Sequence, residues 1–206
     1  MTGRPTFLRN QHGATAVEFA LVAPVAVLFL LGIIDVGRFA WNLNQLEKGV
    51  HMGTRYAVAT AIVPGGLIAK DYTGTNCNGT ILTAGDTICQ SALGTISCTN
   101  TSCTCAVSPC PGTLTPYDSA SFGRIAARVR VFAPFVAPNK VTVQYSGSGI
   151  GFVGDPAPGQ PDVAPIVTVK ISGVPFSAMS LLGWKLHLPT VSYSQTLEDG
   201  IGAIAY

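Results

Sequence analysis

A single carboxylate, that of Glu18, interrupts an apolar run of twenty-one residues that begins at Ala14. Placing a carboxylate in an apolar membrane helix costs free energy. Such a carboxylate therefore usually stays hydrated at the membrane surface, pairs with another group or has a function. If the chain were cut after Gly13, the new α-amino group of Ala14 would lie just over one helical turn before Glu18. That ammonium group could pair with the carboxylate within one subunit or across to a neighbour. A plain membrane anchor has no reason to carry this arrangement.

Six cysteines are the other residues whose type and spacing could do chemistry. They fall within 34 residues of a segment rich in Thr, Ser, Gly and Asn, at Cys77, Cys89, Cys98, Cys103, Cys105 and Cys110. An even count in a poorly helical segment indicates up to three disulfides. The sequence does not choose among the possible pairings, although a bond between Cys103 and Cys105, one residue apart, would be strained.

We expect no metal and no other cofactor at these cysteines. Zinc and iron–sulfur sites typically use Cys-x2-Cys pairs, whereas the spacing from Cys98 to Cys110 is Cys-x4-Cys-x-Cys-x4-Cys. The three histidines also lie far from this segment in the sequence. Free or partly paired thiols are the remaining alternative to a full set of disulfides.

The apolar run must be carried by a helix that can cross a bilayer. At about 1.5 Å per residue its length is about 31 Å, which matches the hydrocarbon core of a membrane. Arg4, Arg9 and His12 precede the run without any acidic residue, whereas its far flank mixes acidic and basic residues. The positive-inside rule therefore predicts a cytoplasmic N-terminus and places everything after about Trp41 outside. A cleavable secretory signal is disfavoured because the run is too long and lacks a small-x-small site.

Beyond the apolar run the helical pattern persists. Apolar and small residues recur at spacings of three and four, at Leu43, Leu46, Val50, Gly53 and Ala57. The sequence predicts a helix that continues to about Ile62 and is stopped by Pro64-Gly65-Gly66. His51 has no metal-ligand partner four residues on, so we interpret it as a surface or half-buried polar residue.

Three stretches carry a family resemblance. They read Gly-Ala-Thr-Ala-Val-Glu-Phe-Ala-Leu-Val-Ala-Pro-Val from Gly13, Gly-Ile-Ile-Asp-Val-Gly-Arg from Gly32, and Gly-Val-His-Met-Gly-Thr-Arg-Tyr-Ala from Gly49. Together they resemble the TadE-like pseudopilins of the tight-adherence (Flp) type IV pilus system. The resemblance implies that a membrane-embedded aspartic prepilin peptidase cuts between Gly13 and Ala14, and that Glu18 is the assembly-critical acid.

The residue after Glu18 points to a subclass of that system. Major Flp pilins usually have Tyr at this position and a very short chain, whereas here Phe19 follows and about 170 residues lie beyond the apolar run. The resemblance therefore implies a minor pilin or pseudopilin that contributes to pilus biogenesis, adhesion and secretion. The implied partners are the inner membrane, the prepilin peptidase, other pilins or pseudopilins and the pilus assembly machinery. The implied location is the bacterial inner membrane, with the C-terminal domain in the periplasm and possible association with the pilus.

The predicted fold class is α+β and pilin-like. We divide the chain into a leader (1–13), a transmembrane helix (14–40), its periplasmic continuation (41–63), a Cys-rich loop (64–118) and a head (119–206). In the head, Asp118 is predicted to cap a helix that ends near Pro134. Three β-branched stretches predict a small antiparallel sheet of about three strands, at Val141–Tyr145, Ile166–Ile171 and Thr190–Thr196.

An apolar excursion separates the second and third predicted strands. It runs from Phe176 to Leu188 and contains Met179, Leu181, Leu182 and Trp184. One interpretation is a helical turn or a loop that covers the sheet. The other is an exposed hydrophobic patch for a partner subunit.

Composition and motifs exclude several classes of function. Hydrophobic residues make up 48% and charged residues 11% of the chain, which argues against a disordered protein. A formal charge of +2 gives no electrostatic case for nucleic-acid binding. The sequence contains no Gly-x-Ser-x-Gly, no phosphate-binding loop and no His-Glu-x-x-His, so we do not expect an enzyme. The alternative function is an uncut single-pass membrane protein whose periplasmic head binds a ligand or partner.

Overall fold

The computed structural model describes residues 13–110, 112–154, 160–180 and 184–202. These residues form two compact units. The first contains the described residues up to Trp41 together with those of Pro175–Leu186, and the second contains Asn42–Val174 and the described residues from His187 onward. The predicted leader residues Arg4, Arg9 and His12 lie outside the described residues.

The helix α1 spans Ala14–Ala57 and contributes residues to both units. Pro24 lies inside α1, where its ring removes one backbone N–H donor. The end at Ala57 corrects the predicted end near Ile62. The backbone beyond the helix is instead bonded to the C-terminal segment: the Val58 carbonyl accepts from the Glu198 and Asp199 amides at 3.0 and 2.8 Å, and the Ile62 amide donates to Gly200. These tertiary hydrogen bonds replace the bonds that a longer helix would make.

A five-stranded antiparallel sheet dominates the second unit. The strands of this sheet are β3 (Thr95–Cys98), β4 (Cys103–Val107), β5 (Val141–Ser146), β6 (Ile166–Ile171) and β9 (Val191–Thr196). They lie in the order β4-β3-β5-β6-β9. The three predicted strands are therefore confirmed, as β5, β6 and β9.

The predicted number of strands was too low because the Cys-rich segment is not only a loop. It supplies β3 and β4 to the large sheet and a separate two-stranded ribbon of β1 (Asn76–Cys77) and β2 (Thr80–Ile81). Thr, Ser and Cys dominate β3 and β4, so these strands lack the alternation of large apolar residues that marks β5 and β6.

The helix α2 spans Ser119–Phe132, as predicted, with Asp118 as its N-cap. The Asp118 carboxylate accepts hydrogen bonds from the Ala120 and Ser121 amides at 2.9 and 3.0 Å. The helix buries the face that carries Phe122, Ile125, Ala126 and Val129. A long N-terminal helix, a second helix, antiparallel sheets and disulfides together make the fold α+β.

The core of the second unit lies where helices and sheet meet. Along β5 and β6 buried residues alternate with half-buried ones, and Val143 lies opposite Val169. Gly53 of α1 faces both Val129 of α2 and Val169 of β6. A Cβ atom built on Gly53 would lie 2.5 Å from Val129 Cγ2 and 3.6 Å from Val169 Cγ1. Glycine at position 53 therefore allows α1 to approach α2 closely.

In the first unit, the apolar excursion forms a β-hairpin. Its strands are β7 (Pro175–Ser177) and β8 (Lys185–His187). The expectation of a helical turn or a loop is therefore wrong for the residues of β7 and β8, which are strands. Leu181 and Leu182 lie outside the described residues.

Candidate membrane and assembly site

The N-terminal part of α1 exposes an extensive apolar surface. Twelve large apolar side chains are each between 51% and 73% exposed: Val17, Phe19, Leu21, Val22, Val25, Val27, Leu28, Phe29, Leu30, Ile33, Ile34 and Val36. Among the described residues, α1 is long and apolar enough to cross a membrane. A water-soluble surface rarely carries a continuous apolar patch of this extent.

The predicted cleavage and assembly residues lie at the beginning of this surface. Gly13 is exposed and Ala14 is the first residue of α1. The side chains of Glu18 and Phe19 are both exposed. Within the described ranges, no hydrogen bond or ion pair engages the Glu18 carboxylate. It is therefore accessible to a partner, and its role in assembly stays a prediction.

The first charge after the apolar run belongs to a cluster that ties α1 to the hairpin. Asp35 is only 6% exposed. Its Oδ2 atom accepts from both the backbone amide and the hydroxyl of Ser180, each at 2.7 Å. Its Oδ1 atom accepts from Arg38 Nη1 at 3.1 Å. The Asp35 carboxylate is thus satisfied by a helical neighbour and by a residue 145 positions away. We call Asp35, Arg38 and Ser180 the hairpin clamp.

Aromatic contacts extend the hairpin clamp. The Phe176 ring of β7 meets Phe39 edge-on, with 5.5 Å between the ring centroids. The Arg38 guanidinium lies 5.4 Å from the centroid of the same Phe176 ring. Arg38 Nη1 also donates to the Ser177 carbonyl at 3.4 Å. One arginine therefore contacts the acid, the ring and the backbone that hold the hairpin against α1.

An apolar groove lies beside the hairpin clamp. It has a volume of about 520 Å³ and is lined by Leu28, Phe29, Gly32, Ile33, Val36 and Ser180. Ser180 is the polar residue among these, and its hydroxyl is engaged with Asp35. The groove offers shape and apolar contact rather than polar recognition.

The six cysteines form three disulfides, as the even count indicated. The pairs are Cys77–Cys89, Cys98–Cys103 and Cys105–Cys110. Cys98 lies directly opposite Cys103 in the β3–β4 ladder, so that bond joins neighbouring strands. Cys103 and Cys105 do not bond to each other, as we expected.

Other polar groups of the second unit serve the fold. Partial burial raises the pKa of Asp118, but the hydrogen bonds from Ser121 and Ala120 and the nearby Arg124 outweigh it and lower the pKa below its ordinary value. Tyr145 is fully buried, its hydroxyl accepts from the Val63 amide at 3.2 Å, and burial raises its pKa.

Two residues of the second unit bear on the predicted sites. His51 is exposed, as predicted, and stacks on Tyr193 with 3.8 Å between the ring centroids. Within the described part of the chain, no three His, Cys, Asp or Glu residues are grouped so that they could hold a metal ion.

The extent of the apolar surface, the acid near its start and the Asp35-to-Arg38 pair all lie in one stretch of α1. Residues 13–55 match the TadE-like protein family. No curated protein and no solved structure matches the chain. The match covers 43 of the 206 residues, and all of these except Gly13 lie in α1.

The TadE-like segment ends two residues before α1 does. It includes Gly13, Glu18, Asp35, Arg38 and Gly53. The disulfides and the hairpin lie outside it, so they are features of this chain's remaining sequence.

Ser180 is the residue of the hairpin clamp that the sequence did not reveal. Its partner Asp35 was visible as a charge at the end of the apolar run, but nothing local links the two positions. The local signal was weak, because the segment Phe176–Leu188 also contains the polar residues Ser177, Lys185 and His187.

Proposed function

We propose that this chain is a minor pilin or pseudopilin of a tight-adherence type IV pilus. It spans the bacterial inner membrane once through the first part of α1, with the N-terminus in the cytoplasm and the second unit in the periplasm. A prepilin peptidase cuts it between Gly13 and Ala14. The mature subunit then associates with other pilins or pseudopilins and with the assembly machinery, and contributes to pilus biogenesis, adhesion and secretion.

The observation that carries this proposal is the exposed apolar surface of α1 with Glu18 near its start. The apolar side chains can be covered by lipid before assembly and by neighbouring helices afterwards. A helix that served only as an anchor would need the apolar residues but not the acid. The match of residues 13–55 to TadE-like proteins supports the same role.

Glu18 acts through charge pairing in this proposal. Cleavage creates an ammonium group at Ala14, four residues before Glu18, which is a spacing at which helical side chains lie close together. In an apolar environment the attraction between an ammonium and a carboxylate is much stronger than in water. A neighbouring subunit's ammonium can therefore select the axial position at which two helices pack.

The remainder of the chain has a structural role and no catalytic one in this proposal. The oxidising periplasm allows the three disulfides to form. They hold the segment from Cys77 to Cys110, whose small polar residues bury little apolar area on their own.

The intact mass and N-terminal sequence of the protein extracted from its host membrane test the cleavage. We expect a chain that begins at Ala14 and gains about 2 Da for each disulfide that is reduced. A chain that keeps its leader in a host with an active prepilin peptidase would contradict the proposal. It would leave an uncut single-pass membrane protein with a periplasmic binding head.

Substitution of Glu18 tests the assembly role. Glu18→Ala makes the segment more apolar, so the protein should still enter the membrane but should fail to support pilus formation or to capture its partners. Glu18→Asp is the matched control, because it keeps the charge and should retain part of the function. Normal pilus formation by Glu18→Ala would refute the role. Gly13→Asp should block processing, and a correctly shortened product would refute the cut.

A further inference from the structure

The β7–β8 hairpin exposes large apolar side chains outside the apolar helix. Trp184 is 73% exposed, as much as Phe19 on the apolar surface of α1. Met179 is 54% exposed, and Leu186 is also exposed. Lys185, exposed as well, lies between Trp184 and Leu186. A short hairpin that carries these residues in water would leave a tryptophan, a methionine and a leucine uncovered.

The hairpin clamp fixes where these residues lie along α1. Ser180 donates two hydrogen bonds to Asp35, the first charge after the apolar run. Ser180 also shares the apolar groove with Leu28, which lies seven residues, or about 10 Å, before Asp35 on the helix. Ser180, the last described residue before the turn of the hairpin, therefore lies beside the outer part of the apolar run.

Trp184 lies close to Ser180 in the hairpin. The Ala178 amide donates to the Trp184 carbonyl, which places Trp184 opposite a residue two positions from Ser180. Two residues of chain span at most about 7 Å. The Trp184 carbonyl is therefore hydrogen-bonded to a residue that lies within about 7 Å of Ser180, which binds Asp35.

We propose that the β7–β8 hairpin is a second membrane-contacting element, which inserts Met179, Trp184 and Leu186 into the interfacial layer of the bilayer that α1 spans. This inference rests on the proposed membrane span. Continuity with the apolar surface of α1 commits the hairpin to lipid, because the clamp holds it beside residues that are themselves covered by lipid. Tryptophan favours the membrane interface, where its ring meets the acyl chains and its N–H stays hydrated. The Lys185 ammonium can reach lipid phosphates from the same position.

The two tryptophans of the chain make this inference measurable. Trp41→Phe leaves Trp184 as the single tryptophan. The full-length protein would be reconstituted in vesicles of phosphatidylcholine and phosphatidylglycerol, with bromine atoms placed either near the headgroups or deep in the acyl chains. We expect shallow bromines to quench the Trp184 emission more strongly than deep bromines do. Aqueous iodide should quench Trp184 less in vesicles than it quenches free tryptophan.

A depth control separates this inference from the proposed membrane span. The triple variant Trp41→Phe, Trp184→Phe, Phe29→Trp places the single tryptophan inside the apolar run. Deep bromines should quench this tryptophan strongly. If they do, and Trp184 responds only to iodide, the hairpin inference is refuted while the membrane span stands. If the residue at position 29 is not quenched, the span fails and the hairpin inference fails with it.

Two further outcomes bear on the inference. If Trp184 is protected from iodide only at high protein-to-lipid ratios, a second copy covers the hairpin and the inference is wrong. Asp35→Ala removes both bonds to Ser180 and should lower the quenching of Trp184 by shallow bromines. Ser177→Ala is the matched control, since Ser177 contacts Arg38 through its backbone carbonyl alone. Equal quenching in the Asp35→Ala and Ser177→Ala variants would overturn the role of the clamp.

Discussion

Two glycines in the helices of the second unit should respond in opposite directions to the same substitution. Gly53 of α1 faces Val129, and an added Cβ atom would lie 2.5 Å from Val129 Cγ2. Gly123 of α2 is exposed, and an added Cβ atom would meet nothing within 4 Å. Replacing glycine by alanine in a helix interior gains about 1 kcal/mol from helix propensity at either site.

The packing cost falls on Gly53 alone. Val129 is fully buried, and its β-branched side chain has one strongly preferred rotamer in a helix, so it cannot easily turn away. Overpacking of this kind costs about 1–3 kcal/mol. We therefore expect Gly123→Ala to stabilise the protein by about 1 kcal/mol and Gly53→Ala to be neutral or destabilising by up to about 2 kcal/mol. Because the propensity gain is common to both, the difference between the variants measures the packing cost.

Chemical denaturation of the detergent-solubilised full-length protein, followed by far-ultraviolet circular dichroism, would measure both variants. The double variant Gly53→Ala, Val129→Ala provides the internal test. The smaller side chain at position 129 makes room for the new methyl group, so the two substitutions should couple favourably by about 1 kcal/mol or more. Equal stabilisation by Gly53→Ala and Gly123→Ala would refute the proposed close approach of α1 and α2.

Three further predictions concern single groups of the second unit. Asp118→Ala should lower the free energy of unfolding by about 1 kcal/mol at neutral pH. Because folding lowers the pKa of Asp118, this loss should shrink as the pH falls from the ordinary carboxyl range through the folded pKa, and a loss that does not depend on pH would contradict the prediction. Gly94→Ala should disrupt the β3–β4 hairpin, because the added Cβ atom would overlap the Val107 carbonyl oxygen. Backbone amides of β3 and β4 that exchange as slowly as in the wild type would disprove the overlap. Tyr145→Phe should lower the free energy of unfolding by about 1–3 kcal/mol, because it leaves the buried Val63 amide without its acceptor. Thermal unfolding would measure this loss, and an unchanged unfolding temperature would contradict the prediction.

The elements that the sequence predicted correctly are those with local signals. Asp118 carries the oxygen that caps α2, and the β-branched residues of β5, β6 and β9 mark strands without reference to distant partners. The apolar run was evident because a membrane-spanning length is a property of one continuous segment.

The features that the sequence did not reveal depend on distant partners. Residues 58–62 contain no Gly or Pro, so the first stop signal in the sequence is Pro64, but the C-terminal segment around Gly200 bonds to their backbone where α1 has already ended. The strand β3 is defined by its pairing with β5, and β4 by its pairing with β3 and by the Cys98–Cys103 bond, since Thr, Ser and Cys dominate both segments. Asp35 and Ser180 lie 145 residues apart, so no pattern in the sequence joins them.

For the candidate site, the sequence located the residues but not their contacts. Gly13, Ala14, Glu18 and Phe19 lie at the start of an exposed helix, as the apolar run implied, and their roles stay predictions. The pairing of the cysteines needed the structure, because spacing alone leaves the alternatives nearly equal.

The placement of the disulfides determines how the protein would respond to a pulling force. All three bonds lie between Cys77 and Cys110 and close segments of 12, 5 and 5 residues. No disulfide joins α1 to α2 or to the strands β5, β6 and β9, so hydrogen bonds and packing would resist tension between α1 and β9. With the disulfides intact, the fully stretched chain would be shorter by about 60–80 Å. An oxidised and a reduced subunit pulled from these two elements would therefore differ in full extension by about this length, while their resistance to the first unfolding step would be the same.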